Sequence, residues 1–144
     1  MDAFKMNQFK EEYGTCWTYD EMIGTTLGDF SYLIYYGDPV EELDAEAIKN
    51  LLELKRFFIT GYKSFLEILA SHYKKAEGYG LLEVLEIPSN LKVEDLGEYI
   101  EKKELYVMED TGDYYQRVHL SVPWDQEGGL LLEPAEEGWE IVDF

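Results

Sequence analysis

The 144-residue chain has a single cysteine, only four prolines and no run of 18 apolar residues. Cys16 has no second cysteine with which to form an internal disulfide, and the lack of a long apolar run excludes a transmembrane helix. The opening segment MDAFKMNQFKEEYG also lacks the continuous apolar stretch of a secretory signal. These absences predict a soluble protein of the reducing cytoplasm.

Positive charge is scarce. Twelve Lys and Arg stand against 31 Asp and Glu, which gives a formal net charge of −19, and no Lys or Arg follows Arg117. Because nucleic acids and anionic membranes bind through cationic side chains, neither is expected as a partner. A negative surface of this kind attracts basic proteins instead.

Repeats, low-complexity tracts and flexible linkers are also missing, so residues 1–144 are predicted to form one domain. Hydrophobic residues make up 46% of the chain and aromatic residues 15%. This is enough apolar material for a folded core of ordinary size.

The first half of the chain predicts a strand and a long helix. The aromatic segment 30–36 is typical of a strand and ends at the Gly37-Asp38-Pro39 turn signal. Asp44 suits the N-cap of a helix whose apolar residues recur every three or four positions up to Tyr73. Gly61 predicts a kink or a break within this helix. Upstream, 15–19 is expected to form a short strand, followed by a loop around Gly24 and Gly28.

The second half predicts a short helix and several strands. The helix is expected within 90–100, and a hairpin should join 105–108 to 114–122 through the turn at 110–113. Two further strands are expected at 130–132 and 139–142. This order favours an α+β fold, with an antiparallel sheet packed on one face by the long helix and the short second helix.

The segment Trp124-Asp125-Gln126-Glu127-Gly128-Gly129 resembles part of a family of uncharacterised bacterial domains. In that family a W-D-x-E-H-G segment precedes the penultimate C-terminal strand, and the similarity extends over 15–142, including TTLGDFSYLIYYGD and WDQEGGLLLE. Gly128 stands where the relatives have His, which argues against a metal or catalytic use of the segment. The resemblance supports the fold and implies no particular activity.

Few residues suggest chemistry. His119, Asp125 and Glu127 are candidate metal ligands, but their irregular spacing favours a hairpin loop in which the carboxylate accepts backbone hydrogen bonds. Cys16 with either His72 or His119 is formally a nucleophile and base, yet no catalytic signature surrounds it. No phosphate-binding loop is present. We therefore predict no catalytic residue, no metal and no cofactor.

The leading hypothesis is a non-enzymatic protein-binding domain, of the antidote type that inhibits a basic toxin such as a nuclease. Tyrosine, tryptophan and arginine are common in binding hot spots, and carboxylates attract a basic partner. The predicted partner-binding residues are Tyr115, Arg117, Trp124, Asp125, Glu127, Glu136 and Glu137. The alternatives are a metal-dependent enzyme or small-ligand domain centred on His119, Asp125 and Glu127, and a self-associating structural domain that forms a homodimer rather than a monomer.

Overall fold

The computed structural model describes residues 4–125 and 129–142, which form a seven-stranded mixed sheet and its helices. The strands are β1 (Phe9–Glu12), β2 (Cys16–Thr25), β3 (Gly28–Tyr36), β4 (Lys103–Asp110), β5 (Asp113–Leu120), β6 (Leu130–Ala135) and β7 (Gly138–Val142). The helices are α1 (Ala45–Thr60), α2 (Tyr62–Gly78) and the single turn α3 (Leu81–Val84), with 3-10 helices at Met6–Gln8 and Val93–Tyr99. The predicted α+β class agrees with this composition.

The order of strands in the sheet is the order in the chain, and one neighbouring pair is parallel. β3 and β4 run in the same direction, whereas every other neighbouring pair is antiparallel. The prediction of an antiparallel sheet is therefore wrong at this pair. Parallel strands need a long crossover connection, and all three α-helices lie in the segment between β3 and β4.

The prediction of a loop around Gly24 and Gly28 is also wrong. β2 extends to Thr25 and β3 starts at Gly28, so the two strands form a tight hairpin. The Thr25 hydroxyl accepts a hydrogen bond from the Leu27 amide at 3.0 Å and donates one to the Gly28 carbonyl at 2.8 Å. Gly28 has a φ of +111°, a conformation that side-chain-bearing residues rarely adopt.

Gly61 divides the predicted long helix into α1 and α2. The indole of Trp139 on β7 donates a hydrogen bond to the Gly61 carbonyl at 3.0 Å. A Cβ atom at position 61 would lie 3.2 Å from that indole nitrogen, so glycine leaves room for the contact. The break in the helix is thus located where the sheet touches it.

The main core lies between the helices and one face of the sheet. Phe58 and Phe65 pack against Phe30 of β3, and both rings meet Trp139 edge to face. Within the described ranges, no helix is long and apolar enough to cross a lipid bilayer.

The opposite side of the sheet carries a second, smaller apolar cluster, and we call this side the open face. Leu33, Tyr106 and Leu131 form its centre, and their apolar neighbours are Cys16, Tyr35, Met108 and Val142. All of these residues belong to strands, so no helix of the described chain packs on the cluster.

Candidate protein-interaction face

The centre of the open face is apolar and aromatic. Leu33, Tyr106 and Leu131 come from three different strands and are each less than 8% exposed. The rings of Tyr35 and Tyr106 meet edge to face with centroids 5.3 Å apart. Because neighbouring strands point directly paired residues to the same side, the strand register places these groups on one continuous surface.

Charged residues surround this centre, and most of them are acidic. The register assigns seven carboxylates to the open face, with Lys10 and Arg117 as its strand-borne cations; the carboxylates are Glu12, Asp29, Glu104, Asp110, Asp113, Glu133 and Glu140. Arg117 is already paired, since its Nε lies 3.5 Å from Glu133 Oε2. Its guanidinium also lies over the ring of Tyr115, at 5.2 Å from the centroid. The open face therefore has a surplus of carboxylates.

The most enclosed of these carboxylates is Glu104. Its side chain is 14% exposed, and its Oε1 lies 3.1 Å from Nδ1 of His119 on β5. The backbone at Gly129 lies close to the other side of the His119 ring, since a Cβ atom on Gly129 would lie 2.5 Å from the His119 Nε2. Gly129 therefore allows the imidazole to sit against the sheet with Nδ1 directed at Glu104.

The acidic surface continues at the end of the sheet where β3 and β4 finish. Residues 37–46 contain five carboxylates and residues 109–113 contain three, with no Lys or Arg in either segment. The two segments are in contact, because the Gly37 amide donates a hydrogen bond to the Glu109 carbonyl at 2.9 Å. Asp110 and Asp113 belong both to this end and to the open face.

A second polar cluster lies on the helix side of the sheet, at α2. The Trp124 indole donates a hydrogen bond to His72 Nδ1 at 2.9 Å, and His72 Nε2 lies 3.8 Å from Asp125 Oδ2. Burial lowers the pKa of His72, and Lys75 lowers it further, although the Asp125 carboxylate opposes both. A neutral imidazole that accepts from Trp124 carries its proton on Nε2, directed at Asp125.

The predicted partner-binding residues occupy separate places. Tyr115 and Arg117 lie on the open face. Trp124 is 2% exposed and packs against Tyr73, so its side chain is a core group in this structure. Asp125 lies beside His72, whereas Glu136 and Glu137 are exposed at the β6–β7 turn. Glu127 and Gly128 lie outside the described residues.

The residues suggested for chemistry are also dispersed. His119 contacts Glu104 and Asp125 contacts His72, and the described chain contains no group of three His, Cys, Asp or Glu suited to a metal ion. Cys16 is three strands from His119 and four residues along the sheet, a separation of roughly 20 Å. Burial raises the pKa of the Cys16 thiol, and the nearby Glu12 and Glu104 raise it further. These features argue against a Cys–His nucleophile.

Sequence reasoning missed Glu104 and the contact between Trp124 and His72. Glu104 lies just before the predicted strand 105–108, and one more residue of strand would have placed it opposite His119. No sequence signal links His72 to Trp124, which are 52 positions apart.

Comparison with known protein families, with curated proteins and with solved structures finds no match to this chain.

Proposed function

We propose that this chain is a non-enzymatic domain that binds a basic protein through the open face. The observation that carries the proposal is the apolar, aromatic centre of that face, which has no helix of the described chain over it and is surrounded by surplus carboxylates. Such a surface combines buried aromatic anchors with a charged rim, as binding sites for proteins do.

The negative charge of the open face indicates the kind of partner that it binds. The open face carries seven carboxylates and two cations on its strands, and the acidic end of the sheet extends the same sign of charge. A second copy of this chain would present the same surplus to itself, which opposes pairing of two open faces. A basic partner gains both attraction at long range and contact pairs at the rim.

An antidote to a basic toxin is the biological role that fits this surface best. A nuclease holds its polyanionic substrate with cationic side chains, and carboxylates on a rigid sheet are suited to occupy them. The single thiol of Cys16 supports a location in the reducing cytoplasm. The resemblance of WDQEGG to uncharacterised bacterial domains suggests a bacterial source without adding an activity.

The test is binding to the basic proteins encoded beside this chain's gene, measured by calorimetry between 50 and 300 mM salt. Tight binding that weakens steeply with salt is expected. The double variant Asp113→Lys with Glu140→Lys, both exposed on the open face, should weaken it at least tenfold. The matched control is Glu94→Lys with Glu98→Lys, which changes the same charge on the exposed 3-10 helix Val93–Tyr99.

Equal weakening by the two double variants would show that only net charge matters and would overturn the open face as the site. Salt-independent binding would overturn the electrostatic basis. Sedimentation of the chain alone tests the homodimer, which is expected to be absent across the concentrations used for calorimetry.

A further inference from the structure

The open face contains a shallow concavity of about 220 Å³ at its centre. Tyr35, Tyr106, Met108 and Leu131 form its apolar wall, Glu104 and His119 supply its polar groups, and Lys102 lies at its rim. Pockets for small molecules start at about 300 Å³. The concavity is therefore suited to one side chain of a docked protein and not to a free metabolite.

Within residues 4–125 and 129–142, the carboxylate of Glu104 has no Lys or Arg in close contact. Its one ion-pair contact among the described residues is with His119. No Lys or Arg nitrogen of the described chain lies within 4 Å of Glu104. Burial raises the pKa of Tyr35 and of Tyr106, and the charge of Glu104 adds to the increase in both cases, whereas Arg117 opposes it at Tyr106. An enclosed carboxylate of this kind is stabilised by an added cation.

The shape of the site favours a guanidinium over an ammonium. Guanidinium groups are planar, weakly hydrated and stack on aromatic rings, whereas an ammonium keeps a compact hydration shell. The edge-to-face pair of Tyr35 and Tyr106 offers a ring surface beside the carboxylate. The same face already shows this mode of contact, since the Arg117 guanidinium lies over the Tyr115 ring.

We propose that this concavity receives an arginine side chain of the basic partner, with its guanidinium on the Tyr35–Tyr106 pair and hydrogen-bonded to Glu104. The His119 contact uses Oε1 of Glu104, so the donors of the arginine are directed at Oε2. Gly129 has no side chain and so leaves the imidazole room to contact Glu104. This inference rests on the proposed function and names the chemical group by which the partner is anchored.

The test uses a short peptide, Ac-Gly-Arg-Gly-NH2, so that no protein partner is required. The matched control is the same peptide with citrulline, which keeps the shape of arginine and removes its charge. Methionine methyl NMR provides the signal, because Met108 lines the concavity whereas Met6 is exposed on the 3-10 helix Met6–Gln8. We expect a saturable shift of the Met108 methyl with the arginine peptide, with a dissociation constant on the order of 1 mM, and an unchanged Met6 methyl.

Two variants sharpen the result. Glu104→Gln keeps an acceptor for His119 and removes the charge, so it should weaken the arginine peptide at least fivefold. Glu94→Gln removes an exposed carboxylate that lies outside the open face, on the 3-10 helix Val93–Tyr99, and should change the affinity less than twofold. If Glu104→Gln fails to fold, the comparison of the arginine and citrulline peptides on the unchanged chain still shows whether binding requires the charge of the arginine.

Equal Met108 shifts with arginine and citrulline, or unchanged affinity in Glu104→Gln, would overturn the anchor. The outcomes also separate the two proposals. A basic protein that binds Glu104→Gln as tightly as the unchanged chain overturns the anchor and leaves the function intact. If the peptide binds saturably and in a charge-dependent way but no basic protein binds the chain, the anchor is supported and the proposed function is overturned.

Discussion

Tyr114 on β5 donates a hydrogen bond to the side chain of Asp44, which caps α1 and lies 70 positions earlier in the chain. The Tyr36 hydroxyl donates to the other oxygen of the same carboxylate at 2.5 Å, and the Ala47 amide donates at 3.3 Å. Burial alone would raise the pKa of Asp44, but the hydrogen bonds from Tyr114 and Tyr36 outweigh burial and lower it. One carboxylate thus joins a helix terminus to two strands of the sheet.

Replacing this carboxylate should destabilise the fold more than a lost N-cap does. Loss of an N-cap costs about 1 kcal/mol, and Asp44→Ala also leaves two partly buried hydroxyls without their acceptor. We expect the free energy of unfolding in urea to fall by about 2 to 3 kcal/mol. Tyr114→Phe, the control, removes a single hydrogen bond and should cost about 1 kcal/mol. Equal losses in the two variants would contradict the shared role of Asp44.

Gly97 is expected to tolerate no side chain. A Cβ atom there would overlap the Leu27 backbone carbonyl, which cannot move without shifting the β2–β3 hairpin. Gly97→Ala should therefore lower the free energy of unfolding by about 1 to 3 kcal/mol or more, as overpacking does.

Gly78 offers a control of the same substitution. It is the exposed last residue of α2, with open space around its Cα. Gly78→Ala should raise the free energy of unfolding by about 0.4 to 1 kcal/mol, because it restricts the unfolded chain. Thermal melts of both variants provide the measurement, and a harmless Gly97→Ala would refute the close approach of the 3-10 helix to the hairpin.

Local signals in the sequence account for the correctly predicted elements. The Asp44 cap, the break at Gly61 and the hairpin turn at 110–113 each have a signal in their own short segment of sequence. The parallel pairing of β3 with β4 depends on where the helices return the chain, and no short segment encodes that path. For this reason no short segment of the sequence reveals the open face.

The same contrast between local sequence signals and long-range strand pairing applies to the candidate site. Side chains alternate along a strand, so the predicted strand at 114–122 implies that Tyr115, Arg117 and His119 share a side, as they do in the register. The alternation gives no information on Tyr35 and Tyr106. Their rings come together because β3 pairs with β4, a strand distant from it in the sequence. The acidic surplus was visible in the composition, whereas its position around an apolar centre needed the sheet.

Cys16 is expected to react slowly with thiol reagents. Burial and the nearby carboxylates Glu12 and Glu104 raise the pKa of its thiol, and only the thiolate reacts. The rate with a disulfide reagent at pH 8 should therefore be well below that of the same chain in urea. Glu12→Gln, which removes one of the nearby charges, should raise the rate modestly. A native rate equal to the unfolded rate would contradict the buried, carboxylate-flanked position of the thiol.

The contact of His72 with Trp124 should make stability depend on pH near neutrality. Burial, with a further contribution from Lys75, lowers the pKa of His72 below the value near 6.5 of an unfolded chain. The unfolded state therefore binds the proton more readily, so the contribution of His72 is complete above about pH 6.5 and is lost as the pH falls through the folded pKa. Protonation of Nδ1 also removes the acceptor of the Trp124 indole.

Urea unfolding at several pH values between 7.5 and 5.5 measures this effect. His72→Gln cannot take up the proton, so the difference in free energy of unfolding between the unchanged chain and this variant should shrink as the pH falls. The same comparison in a His119→Gln background removes the other imidazole and should give the same trend. A difference that stays constant with pH would mean that His72 takes up protons equally in the folded and unfolded states, and the buried acceptor role for Nδ1 would then be wrong.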